Sequence, residues 1–450
     1  MKSSSVKSST STRIVRTMGL FSGMKIIAML CSLVRNKLIA WLIGPAGLGL
    51  ITLFNSVVDL VAQSSRLSID QTIQRDISQS GYEKYDVTLT VARRWALWLG
   101  IAGTAVMCMF SPVLSLWSFD TFSRWPVFCA LSVVPFLLTY SSCVTAENQG
   151  LRRFKAVAYA NIVASVLGLA IVIPLIIFFR MDSILWIVIA YGLTSWVGAM
   201  IFRPRFAKVQ MAFKEFVSRG ANFIRLGTQI TIAVFVAQAL NYFFVLYLNT
   251  FESTDCLGIF QSGYTMLNSY IGLIFTALWV EYYPRLSANS HSSRRLSLSA
   301  SHEATVTLKI LTPALILLIV FINPIIRLIY SDSFLEASPY IILGSTGTLF
   351  KLLSWSMAYV ILAKGDGRTF LLTDITSSVI GLALNIAGYR LGGFTGLGLA
   401  YIIWYAIYTI VTVTVCHRKY GVKYSSRTWT LFALSLFAVG LTAVICLYRQ

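Results

Sequence analysis

Residues 12–49 read TRIVRTMGLFSGMKIIAMLCSLVRNKLIAWLIGPAGLG. The segment Thr12–Ile43 exceeds the roughly 20 residues a helix needs to cross a bilayer, and a Gly-Pro turn closes it. Ser22, Lys25, Met29, Ser32 and Asn36 recur at steps of three and four, with Arg35 bordering that stripe. Ile26, Ile27, Leu30, Leu33 and Val34 fill the remaining surface, so one face is polar and the rest apolar. A cation at membrane depth costs about 3 kcal/mol on insertion scales and therefore faces protein or a water-filled cavity. The stretch thus predicts a helix that lines a polar cavity able to receive an anion.

Composition agrees. Of 450 residues, 56% are hydrophobic and 12% charged, with a mean hydropathy of +0.73; a soluble domain carries about 25% charge. The apolar runs are continuous over twenty residues or more, which excludes the alternating segments of about ten residues found in a β-barrel. The formal charge of +20 suggests nucleic acid only until the charges are placed, since they fall in short connections between apolar runs. The seven cysteines lie mostly inside those runs without CxxC spacing, and read as buried single thiols. His291, His302 and His417 are too scattered to form a site, so no metal or cofactor is expected. The polar start leads into a run too long for a cleavable signal, with no small-residue cleavage site.

Windows of about nineteen residues give thirteen spans: 14–43, 47–66, 92–116, 125–146, 156–179, 183–202, 221–248, 257–281, 304–330, 339–363, 370–390, 395–416 and 429–447. Pro112 interrupts the third, and Pro135, Pro174, Pro313 and Pro324 are candidate bending points. Of 37 Lys and Arg, 27 fall on the N-terminal side of this alternation and seven on the other. That split predicts a cytoplasmic N-terminus, a basic inner face that attracts anionic membrane lipids, and short outer connections. The basic connection divides the chain into a polar N-terminus (1–13), an N-lobe of six helices (14–202), a linker (203–220), a C-lobe of six helices (221–416) and an extra helix (417–450). Leu48-Gly49-Leu50 opens the second span and Leu257-Gly258-Ile259 the eighth. Six spans is an even number, so the lobes are expected to be parallel repeats; chance similarity of Leu-Gly turns is the alternative. The fold class is an all-α membrane protein of about thirteen transmembrane helices, with two six-helix lobes around a central cavity.

Asp59 and Lys351 sit near the middles of their spans, where neither can reach an interface easily. They form either an ion pair that holds helices in register, or a cavity cation with a carboxylate that balances it or takes a coupling proton. Lys25 either reaches back to the cytoplasm or serves the cavity. Arg35 lies nearer the outer end, where its guanidinium can bind a diphosphate bidentately; Lys37 reads as interfacial. Asn55 beside Asp59, Asn241 in the seventh span and Asn268 in the eighth complete the candidate site. Each amide is otherwise an interhelical hydrogen bond worth about 0.6 kcal/mol. No GxxxxGK loop, GxSxG elbow or HExxH helix occurs, so uphill work would draw on an ion gradient or on removal of product.

Four stretches resemble the Wzx-type polysaccharide flippases of the multidrug/oligosaccharidyl-lipid/polysaccharide exporter superfamily. They are Arg35 through Gly49, Gln149-Gly150-Leu151-Arg152-Arg153-Phe154, Leu257-Gly258 through Asn268 to Leu286, and Ala363-Lys364-Gly365-Asp366 with Gly396-Leu397-Gly398. The resemblance spans residues 14–416 and implies two lobes opening alternately to the two sides of a bacterial inner membrane. It implies an undecaprenyl-diphosphate-linked oligosaccharide as cargo, for O-antigen, capsule or a similar polymer, and a polysaccharide polymerase and chain-length machinery as partners of a monomeric carrier. In related lipid II flippases an Arg followed by an acid in the first helix contacts substrate. Arg35-Asn36 matches with Asn in place of the acid, which puts any coupling role there in doubt. Two other functions fit less well. A cation-coupled multidrug antiporter predicts an acidic cavity, and an envelope-glycan polymerase or ligase typically carries a large outer loop with catalytic Arg or His.

Overall fold

Glycine, proline and serine set the ends and breaks of the helices in the computed structural model, which describes residues 27–66, 70, 73, 77, 85–151, 153–205, 209–210, 231–232, 234–275, 282, 285–286 and 289–449. Helix α1 (27–42) stops where Gly44 takes a positive φ of 82°, and Pro45 opens α2 (Pro45–Arg66), at a position where its missing N–H costs no helix bond. α3 (Tyr85–Phe119) runs unbroken through Pro112, contrary to the expected interruption. Proline removes the bond to the Cys108 carbonyl, and the Ser111 hydroxyl donates to that carbonyl instead at 2.7 Å. The fourth span instead breaks at Ser132 into α4 (Trp125–Leu131) and α5 (Val133–Gly150). α6 (Phe154–Phe179) turns through Arg180–Asp182 into α7 (Ser183–Ile201), and Gly198 lets the returning helix approach the Ala160 backbone.

Further along the chain come α8 (Val234–Glu252), α9 (Thr254–Thr265), α10 (Ser293–Val320), α11 (Ile322–Ile329) and α12 (Ser338–Ala363). α8 ends in the π-helical turn Leu248–Glu252 and α9 continues into another, Met266–Tyr270. α13 (Gly367–Tyr420) is a hairpin, broken at Gly392 and at Gly393, whose φ of +54° requires glycine. Its arms meet from Gly388 against Gly396 to Asp366 against Tyr420. α14 (Ser426–Tyr448) is the extra helix and packs on α10 and α12 through Thr312–Ser435 (2.9 Å) and Phe350–Phe432 (5.2 Å between rings).

Among the described residues nine helical stretches are long and apolar enough to cross a membrane, and two of them, Phe154–Ile201 and Gly367–Tyr420, contain two arms each. The first, seventh and eighth expected spans extend beyond the described residues. The chain is an all-α, multi-pass membrane protein.

Two compact units divide it. Of the described residues, those through Ile43 and from Leu53 to Phe235 form the first, and Gly44–Thr52 with those from Val236 onward form the second. A buried ion pair organises the first unit. Arg93 on α3 binds Glu147 on α5 at 2.6 Å, with Glu147 at 0% exposure, and donates to the Pro204 carbonyl at 2.7 Å just past α7. The sequence reading had placed Arg93 in a solvated connection; its bidentate carboxylate and carbonyl are what allow burial. In the second unit, Gly49 abuts the Thr254 carbonyl and Gly258 abuts the Pro45 carbonyl, both too closely for any Cβ. Adding 209 to 49 and 45 gives 258 and 254, so the two contacts are one contact made twice. That reciprocity is what a duplication produces, and it supports the Leu-Gly repeat over coincidence.

Candidate functional site

In the first unit α1, α5, α6 and α7 enclose a cavity of about 480 Å³. α1 contributes Ala28, Cys31, Ser32 and Arg35, a single face at steps of three and four. Opposite stand Thr145 and Gln149 on α5, Asn161 and Ser165 on α6, and Tyr191, Thr194 and Ser195 on α7. Among the described residues the lining therefore holds a guanidinium, two carboxamides and several hydroxyls, and no carboxylate. Arg35 is half-buried and its guanidinium reaches toward the Ser32 hydroxyl at 3.4 Å. Tyr191 lies within electrostatic reach of Arg35, Asp59 and Arg66, so it connects the lining to the carboxylate of α2. Such a set can accept an anion or a polyhydroxylated group, with the amides and hydroxyls replacing water.

The second unit holds Lys351 in a different setting. The residue is 4% exposed. Its ammonium donates to Asn268 Oδ1 at 2.5 Å and lies 3.5 Å from the Tyr401 hydroxyl. The rings of Trp355 and Tyr405 stand 4.8 and 5.3 Å from it. Among the described residues no carboxylate pairs with it, so an amide oxygen and aromatic faces stabilise the charge. Asn268 belongs to the π-helical turn after α9, and its Nδ2 donates to the Tyr264 carbonyl at 3.1 Å. A buried cation thus braces a helix irregularity of the kind that recurs at functional sites.

In the first unit Arg35 and Asp59 each lie within electrostatic reach of Tyr191, and in the second Lys351 and Asn268 are in direct contact. Asn55 is half-buried on α2, one turn before Asp59, and Asn241 is half-buried on α8. Lys25 lies outside the described residues. Sequence reasoning passed over Asn161, although it is the one carboxamide of the span 156–179, and over Tyr191, Trp355, Tyr401 and Tyr405, which read as ordinary interfacial or core aromatics. Gln149 was visible only as part of a motif.

The arrangement of membrane-length helices in two units is similar in fold to several solved membrane transporters. The solved structure of lipid II flippase MurJ in an inward closed conformation matches with a TM-score of 0.67 at 15% identity, covering 96% of this chain and 99% of that one. An inward-facing multidrug resistance MATE family transporter of the MOP superfamily matches with a TM-score of 0.68 at 12% identity, over 95% and 94%. A MOP superfamily transporter from Pyrococcus furiosus, described as having a binding pocket of reversed polarity, matches at 0.63 and 13% identity, over 95% and 96%. The sequence itself matches a family of polysaccharide biosynthesis proteins over residues 38–339, and the chain belongs to that family. Arg35 and Lys351 fall just outside the matched residues. A search of curated proteins by sequence found no match.

Proposed function

We propose that this protein is a flippase that inverts an undecaprenyl-diphosphate-linked oligosaccharide across the bacterial inner membrane by alternating access, with its N-terminus cytoplasmic. The observation that carries the reading is Arg35 on a polar cavity whose described lining holds no carboxylate, inside a membrane-length bundle. A diphosphate and a hydrated glycan cannot cross hydrocarbon unaided. A guanidinium set among amides and hydroxyls offsets their lost hydration while the prenyl chain stays in lipid. Family membership supports a glycan polymer pathway, and the fold supports transport over glycan-bond chemistry. A drug–cation antiporter would want an acidic lining, and the described lining of this cavity carries a guanidinium and no carboxylate. Lys351 and Asn268 serve the second unit as a positively charged brace, and Asp59 balances Arg35 or carries a coupling proton.

In cells that depend on this chain for surface polymer, Arg35→Ala and Lys351→Ala should each abolish export at wild-type protein levels, whereas Lys37→Ala should leave it unchanged. Normal export by both Arg35→Ala and Lys351→Ala would remove these cations from the mechanism.

A further inference from the structure

Seven cysteines were read from the sequence as inert buried thiols, and the structure separates two of them from the rest. Cys143, Cys256 and Cys416 are buried, Cys31, Cys129 and Cys446 half-buried and Cys108 exposed, and of these Cys108 and Cys129 stand together. Cys108 lies on α3, eleven residues before its end at Phe119, and Cys129 lies on α4, four residues after its start at Trp125. The connection 120–124 folds α4 back so that the two sulfur atoms stand 3.1 Å apart. Among the described residues, each thiol has the other as its polar partner. A covalent S–S bond is about 2.05 Å, so the sulfur atoms need approach by only about 1 Å.

Which face of the membrane this pair occupies decides what it does. Arg94 lies toward the opposite end of α3, on the side whose basic residues are assigned to the cytoplasm. Trp117 and Trp125 flank the 120–124 connection, the position of an interfacial aromatic belt. Cys129 lies about 6 Å below Trp125, one helical turn from that interface. Cys108 lies about 16 Å along α3 from Phe119, so the pair sits within the membrane-spanning helices, in the part nearer the side that adjoins an oxidising compartment.

We propose that Cys108 and Cys129 form a disulfide on the outer side of the first unit, a covalent clip between α3 and α4. The oxidant is an external protein disulfide of the envelope. One thiolate attacks that disulfide, forming a mixed disulfide and releasing one thiolate of the oxidant. The second cysteine thiolate displaces the other. The sum is one new S–S bond in this chain, one S–S bond lost in the oxidant, and two protons passed to the released thiols. The inference uses the outward orientation of the 120–124 connection, shared with the proposed function, but needs no assumption about cargo.

Cells making the full chain are quenched in acid, alkylated with N-ethylmaleimide without reductant, digested and analysed by mass spectrometry. The expected result is a linked peptide pair containing Cys108 and Cys129, two hydrogens lighter than the two reduced peptides together, which resolves into two alkylatable peptides after reduction. Cys108→Ser should leave Cys129 alkylated by N-ethylmaleimide without prior reduction. Recovery of wild-type Cys108 and Cys129 as separately alkylated thiols would overturn the proposal. A linked chain that inverts no lipid-linked glycan would overturn the transport reading and support this one.

Discussion

A single positive charge at membrane depth is stabilised in this chain in two ways, and the difference bears on what each cation does. Arg35 borders a cavity of about 480 Å³ with amides and hydroxyls around it, which leaves room for a ligand. Lys351 is enclosed by Asn268, Tyr401, Trp355 and Tyr405, so its partners are already supplied by the protein. Hydrogen bonds to buried charged groups are worth about 1.5–3 kcal/mol. A double-mutant cycle of Lys351→Ala and Asn268→Ala, read by unfolding in detergent, should therefore return a coupling of about 1–3 kcal/mol; additivity within about 0.5 kcal/mol would show that the contact contributes nothing. Sequence alone located Arg35, Asp59, Lys351 and Asn268, because polar residues inside apolar runs stand out. It did not reveal that Asn268, 83 positions from Lys351, is that residue's acceptor, since such contacts follow from packing and not from local pattern. Arg93 and Glu147, 54 positions apart, escaped notice for the same reason.

At the scale of the element, local chemistry forecast most helices and missed several of their breaks. The Gly44-Pro45 turn and the Gly392-Gly393 hairpin follow from backbone requirements that the sequence displays. The unbroken course of α3 through Pro112 and the breaks at Ser132 and Phe321 depend on which carbonyls find substitute donors. Close helix approach at Gly258 gives a direct test. A methyl group there collides with the Pro45 carbonyl, so Gly258→Ala should destabilise the fold by about 1–3 kcal/mol. An unchanged thermal midpoint would contradict that packing. The ends of the α13 hairpin are tied by Asp366, which accepts from Lys419 (2.5 Å), the Thr369 backbone N–H (3.0 Å) and the Tyr420 hydroxyl (2.8 Å). The Lys419 ammonium, followed by these donors, holds the Asp366 carboxyl well below the usual carboxylate range. A depressed folded-state pKa means that the stabilisation is full above the unfolded value near 3.9 and is lost as pH falls through the folded one. Asp366→Asn should thus lower the unfolding midpoint at pH 7 modestly, the group being only half-buried, and the gap to wild type should shrink below about pH 4. A gap that stays constant down to pH 2 would remove the linkage.

The whole molecule shows how far a charge pattern and a repeat can carry a functional argument. A division of 27 cations against seven predicts orientation, while the match over residues 38–339 gives the family and the solved structures give the fold. The reciprocal contacts of Gly49 with Thr254 and Gly258 with Pro45 make the duplication visible in coordinates, where the sequence showed only two Leu-Gly turns. The cavity was legible only in part on α1, where Ser32 and Arg35 line it but Ala28 and Cys31 stand in place of Met29 and Asn36, and its far walls on α5, α6 and α7 were not legible, because hydroxyls and single amides in apolar helices carry little signal. The central claim is that the guanidinium of Arg35 receives the diphosphate of a lipid-linked glycan. Its most direct test is inversion of a fluorescent undecaprenyl-diphosphate oligosaccharide in liposomes containing the purified chain, compared with Arg35→Ala, Arg35→Lys and Lys37→Ala. Inversion should be lost in Arg35→Ala, reduced by about tenfold in Arg35→Lys, where charge persists without the bidentate fork, and unchanged in Lys37→Ala. Wild-type inversion rates for Arg35→Ala would contradict the account.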